Sequence, residues 1–172
     1  VKGPRFATNR RVLAEAGESI GRFLDSGLTE LGDRLGPINW QFMATKKFDP
    51  EDFAAFLTLL PATHRGHRLR HVVEVRHDSF RCPEFIAMAR AHGVAVVIAA
   101  DGGFPQIADP TAPFVYARIM GTTGQEPLGY SAAALDLWAE RARIWARGGC
   151  PEGLDYVVTP AEGAPRDVYL YV

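Results

Sequence analysis

Cysteine is scarce in this chain. The two present, Cys82 and Cys150, lie far apart and show no metal-ligand spacing. That argues against a disulfide framework, and a reducing cytoplasm is the expected setting. An excess of one charge is also lacking. Nineteen basic side chains face twenty acidic ones, for a net charge of −1. A globally basic nucleic-acid binder does not have that balance, so nucleic acid remains only as a partner for a local patch. No apolar run is long enough to span a membrane, and no signal-peptide pattern is present. No Gly-x-Gly-x-x-Gly turn follows the first expected strand, and no Gly-x-x-x-x-Gly-Lys loop occurs. A nucleotide-binding doubly wound sheet loses its support accordingly.

What is present reads as an ordinary globular domain. The chain has 172 residues, 47% hydrophobic and 23% charged, enough for one domain, residues 1–172, with a real core. Seventeen glycines and twelve prolines predict many turns.

Strand and helix signals alternate along the sequence. Val1–Thr8 reads as a strand with Lys2 and Arg5 near its end. Glu18–Leu31 carries Ile20, Phe23, Leu24, Leu28 and Leu31 at a helical period. Pro37–Met43 alternates Ile38, Trp40 and Phe42 against Asn39, Gln41 and Met43. Asp49-Pro50 opens a helix to about Leu60. The basic stretch His64–His71 reads as a loop. Cys82–His92 is a helix closed by Gly93, and Val94–Ala100 is a strand hidden on both faces. Phe114–Met120 is a strand. Ala132–Arg147 is a helix, with Leu135, Leu137, Trp138, Ile144 and Trp145 as its apolar side. Tyr156–Val158 is a candidate short strand, and Asp167–Val172 the last one. Alternation of this kind predicts a parallel sheet in an α/β fold. Polar residues gather at the C-terminal ends of these strands: Arg5, Gln41, Glu74, Arg76, His77, Asp101, Arg118 and Tyr169. That placement favours a TIM-type (β/α) barrel, whose sites sit at that face.

The stretch His71–Phe80 concentrates the chemistry. It begins apolar and ends in Glu74, Arg76, His77 and Asp78. Alternation puts Glu74 and Arg76 on one face with Val72, and Val73 with Val75 on the other. Glu74 reads either as a structural ion-pair partner of Arg76 or Arg118, or as a general base or ligand-fixing carboxylate. His77 reads as acid or ligand, or as a capping histidine. Asp101 is the third catalytic candidate, or a turn former before Gly102. Arg5, Gln41, Arg76, Arg118 and Tyr169 are the substrate-binding candidates, the arginines because guanidinium grips phosphate or carboxylate in two places at once. The spacing of Glu74, His77 and Asp101 is not diagnostic of a metal, and no cofactor is indicated.

Several of these segments together resemble one family. Pro37–Phe42 is similar to its Gly-Pro-x-x-x-Gln-Leu/Phe strand, and Val73–Phe80 to its Val-Glu-Phe-Arg-His-x-Ser-Trp/Phe signature. His92–Ala99 resembles its His-Gly-Val-Ala-x-x-x-Ala strand. Phe114–Gly121 resembles its Phe-Val-Tyr-x-Arg-x-His-Gly strand, and Asp167–Val172 its last strand. This family is domain of unknown function 72, the YecE-like proteins. The resemblance implies a TIM-type barrel of which about six of eight strand–helix units are present. The first two units and the final helix are the ones expected to be missing. Met120 stands where the family pattern has histidine.

Two functions follow as expectations. One is an enzyme acting on a small anionic or phosphorylated substrate by acid–base or hydrolytic chemistry. The other is a non-catalytic module that holds an anionic ligand, nucleic acid or a protein partner at the barrel mouth.

Overall fold

Short apolar runs lie side by side and share their backbone hydrogen bonds. The computed structural model describes all 172 residues. In chain order the first elements are α1 (Arg5–Thr8), α2 (Gly17–Leu24), β1 (Ile38–Gln41), α3 (Pro50–Thr58) and a hairpin of β2 (Thr63–His64) and β3 (His67–Arg68). β4 (His71–Glu74), α4 (Pro83–Ala91), β5 (Ala95–Ala100), β6 (Phe114–Ile119), α5 (Ala132–Ala146) and β7 (Asp167–Tyr171) complete it. The main sheet has five strands in the order β1-β4-β5-β6-β7, and every pairing is parallel.

The sheet is open, with β1 and β7 at its edges. This corrects the expectation of six barrel strands. The predicted opening strand shrinks to one parallel bridge, Lys2 beside Asn39, held by Gly3 N–H donating to the Asn39 carbonyl at 2.8 Å. Gly3 is required there, because a Cβ would lie 2.4 Å from the Trp40 ring. Pro4 then turns the chain into α1, which takes Arg5 out of the sheet.

One face of the sheet is covered by helices. Ile38, Trp40, Phe42, Val73, Val75 and Val96 pack with Phe53, Phe56 and Leu57 of α3 and Phe85, Ile86 and Ala89 of α4. Phe53 is the centre of an aromatic group, with Phe42, Phe56, Phe80 and Phe85 at ring-centroid separations of 5.2 to 6.1 Å. Further along, Ile98, Val115, Ala117 and Ile119 pack against Trp138 and Trp145 of α5. Trp40 and Trp138 are therefore core residues, as their apolar settings predict. The other face carries Val72, Ala95, Val97, Phe114 and Tyr116, with Tyr169 against them and no helix upon it.

Local chemistry sets the helix starts. The Asp49 side chain accepts the Asp52 N–H ahead of Pro50, and Ser131 accepts the Ala134 N–H. The single helix predicted over Glu18–Leu31 is broken. α2 ends at Leu24, Gly27 adopts φ +88°, and a 3₁₀ turn runs over Leu28–Arg34. The basic loop contains a hairpin whose two turn residues, Arg65 (φ +47°) and Gly66 (φ +79°), are both left-handed, as a tight two-residue hairpin turn needs. Leu137 points outward, 52% exposed, and so leaves the predicted apolar side of α5. Tyr156–Val158 forms no strand. Its backbone is pinned instead by the buried Asp109 carboxylate, which accepts the N–H groups of Val157 and Val158 at 2.8 and 3.0 Å. No helix is long and apolar enough to cross a membrane.

His71 starts β4 and joins two layers. Its Nδ1 accepts the Trp40 indole N–H at 3.1 Å, which leaves Nε2–H to donate to the Pro61 carbonyl at 2.8 Å. Burial lowers its pKa from the usual 6.5, although the Pro61 bond pulls the other way. The folded state thus prefers neutral His71, and the unfolded chain binds the proton more readily. The stabilisation is complete above the unfolded value of about 6.5 and falls as pH drops toward the folded one. Urea unfolding at pH 7.5 and 5.5 checks this. His71→Gln should lose less stability than wild type across that interval, by up to about 1.4 kcal/mol per pH unit. Equal losses would show that His71 is not the titrating group.

Candidate functional site

Glu74 is the last residue of β4 and faces the helix-free side with Val72. Only 1% of its side chain is exposed. A buried carboxylate needs hydrogen-bond donors on both oxygens, and three residues supply them. Arg76 donates to Oε1 from Nε and Nη2 at 3.0 and 2.6 Å. Arg118 Nη1 donates to Oε1 at 2.8 Å and Oε2 at 2.7 Å. Asn39 Nδ2 donates to Oε2 at 2.8 Å. The sheet register explains the convergence. Asn39 pairs with Val72 and Gln41 with Glu74 on β1, while Arg118 stands on β6 beside Ala99 of β5. The Arg118 guanidinium must cross β5 to reach β4, and Ala99 presents only a methyl group in its way.

Burial pushes the Glu74 carboxyl up. The bonds from Asn39, Arg76 and Arg118, with the charge of Arg118, outweigh it and hold the pKa below the usual 4.5. Glu74 is thus a carboxylate with every oxygen engaged. That makes it a poor general base and a good anchor for cations.

The two arginines keep unused capacity. Two positive charges on one negative charge leave a local surplus of +1. Their side chains are 20% (Arg76) and 32% (Arg118) exposed. Arg118 uses only Nη1 on Glu74, so Nε and Nη2 have no protein partner. Arg76 keeps Nη1 free and lies over the Phe104 ring at 4.2 Å. A cleft of about 440 Å³ opens beside it, walled by Ala99 and Phe104, by Arg81 and by the carboxylates of Asp78, Asp101 and Asp155, while Arg118 stands outside it. A larger cavity of about 510 Å³ lies at the opposite ends of the strands, among Leu57, Arg68, Arg70 and Phe114, and includes none of these groups.

The other predicted residues divide. Gln41 sits beside Glu74 in register with its amide unbonded to protein. Tyr169 shares the helix-free face, in register with Tyr116 and under the Arg70 guanidinium at 5.3 Å. Lys2, in register with Asn39, borders the same face without an ion-pair partner. His77 acts as a cap: its Nδ1 accepts the Ser79 N–H at 3.1 Å and contacts Ser79 Oγ at 2.9 Å. Asp101 turns toward the helices. Its Oδ2 accepts the Trp138 indole N–H at 3.0 Å and the Tyr130 hydroxyl at 3.2 Å. Arg5 is exposed on α1, with no hydrogen bond or ion pair to these residues. Glu74, His77 and Asp101 do not gather into a group that could hold a metal.

Three participants were not singled out from sequence. Asn39 is buried between Lys2 and Val72, and its Oδ1 has no hydrogen-bond partner. The alternation that faced it away from Trp40 was its only signal. Phe104 lies in a loop and left none. Tyr171 lies two residues after Tyr169 on β7 and so shares its face. It stands in register with Arg118 and stacks on Tyr116 at 4.8 Å. Burial, reinforced by Tyr171, pushes the Tyr116 phenol up to about 12, so it stays protonated.

Fold and site together define an α/β protein with an arginine pair anchored on one buried carboxylate at the C-terminal ends of parallel strands. The family model described as protein of unknown function DUF72 matches residues 1–168, and the chain belongs to that family. A DUF72 family protein from Thermotoga maritima has a similar structure, with a TM-score of 0.67 at 21% identity, over 99% of this chain and 64% of that one. A DUF72 family protein from Enterococcus faecalis gives 0.56 at 15% identity, over 92% and 60%. The chain thus spans less than two thirds of the length of these structures. No curated protein matches it.

Removing the anchor should be costly. Glu74→Ala leaves two guanidinium groups facing each other without a counter-charge, and urea unfolding should show a loss of about 3–5 kcal/mol. Because the folded pKa is lowered, the Glu74 contribution is present above pH 4.5 and disappears as pH falls through the folded value. Glu74→Gln should lack that acid-dependent part. A Glu74→Ala loss below 1 kcal/mol (on the order of an exposed pair) would contradict the anchor.

Proposed function

We propose that this chain is part of a TIM-type barrel whose mouth binds a small anion, a phosphate or carboxylate, between Arg76 and Arg118. One observation carries the reading. Two partly exposed guanidinium groups share a single buried carboxylate, so a positive surplus and unused N–H donors remain at the strand ends. Glu74 fixes the two planes, and fixed planes present donors to an anion at little ordering cost. Ala99 between the arginines leaves room for it. Gln41 supplies a neutral amide at the rim.

The proposal gives Glu74 a positioning role in place of proton transfer. If the bound anion is also a substrate, His77, next to Arg76 in the chain and with Nε2 free of protein partners, is the acid–base candidate to test. Hydrolysis of a small phosphate ester is then the chemistry to assay. His77→Asn keeps an acceptor for the Ser79 N–H and removes the imidazole. Turnover in wild type that is lost in this variant with binding intact would make the mouth catalytic.

Titration calorimetry with inorganic phosphate tests the binding itself. Wild type should bind, more weakly as salt is raised, and Arg118→Met should lose at least about tenfold in affinity because one of two charge-assisted contacts is gone. Arg118→Lys should fall between them, since an ammonium cannot reproduce the planar grip. No heat with wild type, or equal affinity for wild type and Arg118→Met, would rule out this site.

A further inference from the structure

The helix-free face holds aromatic rings beside the arginines. β6 and β7 run in parallel register, with Tyr116 opposite Tyr169 and Arg118 opposite Tyr171. Side chains paired in this way stand on one face as neighbours. Tyr171 is therefore next to the anion-gripping Arg118 by construction of the sheet. One face of its ring lies on Tyr116, with centroids 4.8 Å apart and planes 26° from parallel. Tyr116 also stacks on Tyr169 at 6.4 Å and 27°, and Phe114 meets Tyr169 edge-on at 5.9 Å. The ladder is buried at Phe114 and Tyr116, but 44% of Tyr171 is exposed. A tyrosine held flat by a stacked neighbour, one strand position from a half-open guanidinium, is an aromatic platform with an anion donor at its margin.

We infer that the ligand of this mouth carries its anionic group on a planar ring: the phosphate or carboxylate lies on Arg118 and Arg76, and the ring stacks on Tyr171. The inference rests on the anion-binding reading above and narrows it to one ligand class. Two features separate this platform from the other aromatic side chain near the arginines. Phe104 already has the Arg76 guanidinium over its ring at 4.2 Å, so that face is taken. Tyr171 has its covered side on Tyr116 and keeps the rest of its surface for a ligand. Ring stacking of this kind accepts many heterocycles, because every aromatic ring has a π face. The contact therefore selects for a ring and not for one particular pattern of ring substituents. A sugar phosphate or an aliphatic carboxylate would meet the arginines and leave the platform bare.

The test compares two monoesters of equal charge, phenyl phosphate and methyl phosphate, by titration calorimetry on the wild-type chain. Phenyl phosphate should bind about tenfold tighter or better, the scale of one ring stacked on an aromatic side chain. Tyr171→Ala should erase the preference, bringing the ratio of phenyl to methyl phosphate affinity down to about one. Tyr171→Phe should keep the preference, because the ring and not the hydroxyl provides the surface. Benzoate against acetate repeats the comparison for a carboxylate. Equal affinities of phenyl and methyl phosphate in wild type would overturn the ring inference while leaving the anion site standing. Failure of both esters to bind would overturn the anion site, and the ring inference with it. A phenyl preference that survives Tyr171→Ala would also overturn the assignment, since the ring would then be resting elsewhere. The ester comparison uses only wild-type protein, so poor folding of a variant cannot mask the result.

Discussion

A carboxylate cannot be buried alone, and Glu74 is buried on a strand in the middle of this protein. That requirement organises what surrounds it. Five hydrogen bonds reach its two oxygens from Asn39, Arg76 and Arg118, residues of β1, the segment after β4, and β6. The ions thus tie three parts of the sheet edge together at one level. Desolvating such a group costs several kcal/mol, and only a full set of donors makes its burial tolerable. Once the donors are in place, the same set fixes two guanidinium planes that would otherwise sample many rotamers. The arginines that neutralise the carboxylate overshoot it by one charge.

The helix-covered side follows a different logic. There Phe42, just after β1, and the phenylalanines of α3, α4 and the 3₁₀ turn at Asp78–Phe80 interlock, and Trp40 closes the group against Phe23 and Phe56. The Trp40–His71 hydrogen bond is the polar seam of that core. Glu74 and Trp40 belong to adjacent strands and opposite faces, so the strand alternation separates a dry, aromatic layer from a charged one over a few ångströms. The charged face needs the aromatic layer behind it. Without a rigid backing, β4 could not hold Glu74 at the height where both arginines reach it.

Legibility in the sequence followed the range of the interactions. Period-two and period-3.6 patterns are local, and they place β1, β4, β5, β6, β7 and the helices α3, α4 and α5 within a few residues of where they lie. Asp49-Pro50 is legible because a cap is chemistry between near neighbours. The pairing of Glu74 with Arg76 is local as well, at two residues along one strand. Its pairing with Arg118 could be named as an alternative, but not decided, because it depends on the register of β4, β5 and β6. The direction of Asp101 was open for the same reason. A residue at the C-terminal end of a strand can turn to either side, and the Trp138 indole and Tyr130 hydroxyl draw this one to the helices. The broken helix after Leu24 turned on glycine. Leu28 and Leu31 kept the period, but Gly27 at φ +88° ended it. The open edges were foreshadowed only by the family resemblance, which implied an incomplete barrel, because no local pattern says which edges find partners.

The open edges do not remove the site, and the reason is where its parts stand. Glu74, Ala99 and Arg118 occupy three consecutive strands, β4, β5 and β6, each paired on both sides. Arg76 follows β4 directly, and Asn39 and Tyr171 come from the strands flanking those three. Every distance that defines the arginine pair is therefore set by nearest-neighbour register, which parallel pairing fixes locally. Closure of a barrel would add walls and further side chains opposite this face. It would not be needed to bring two guanidinium groups onto one carboxylate. The charge surplus is a property of these strands, and the partial exposure of both guanidinium groups lets solvent share in balancing it.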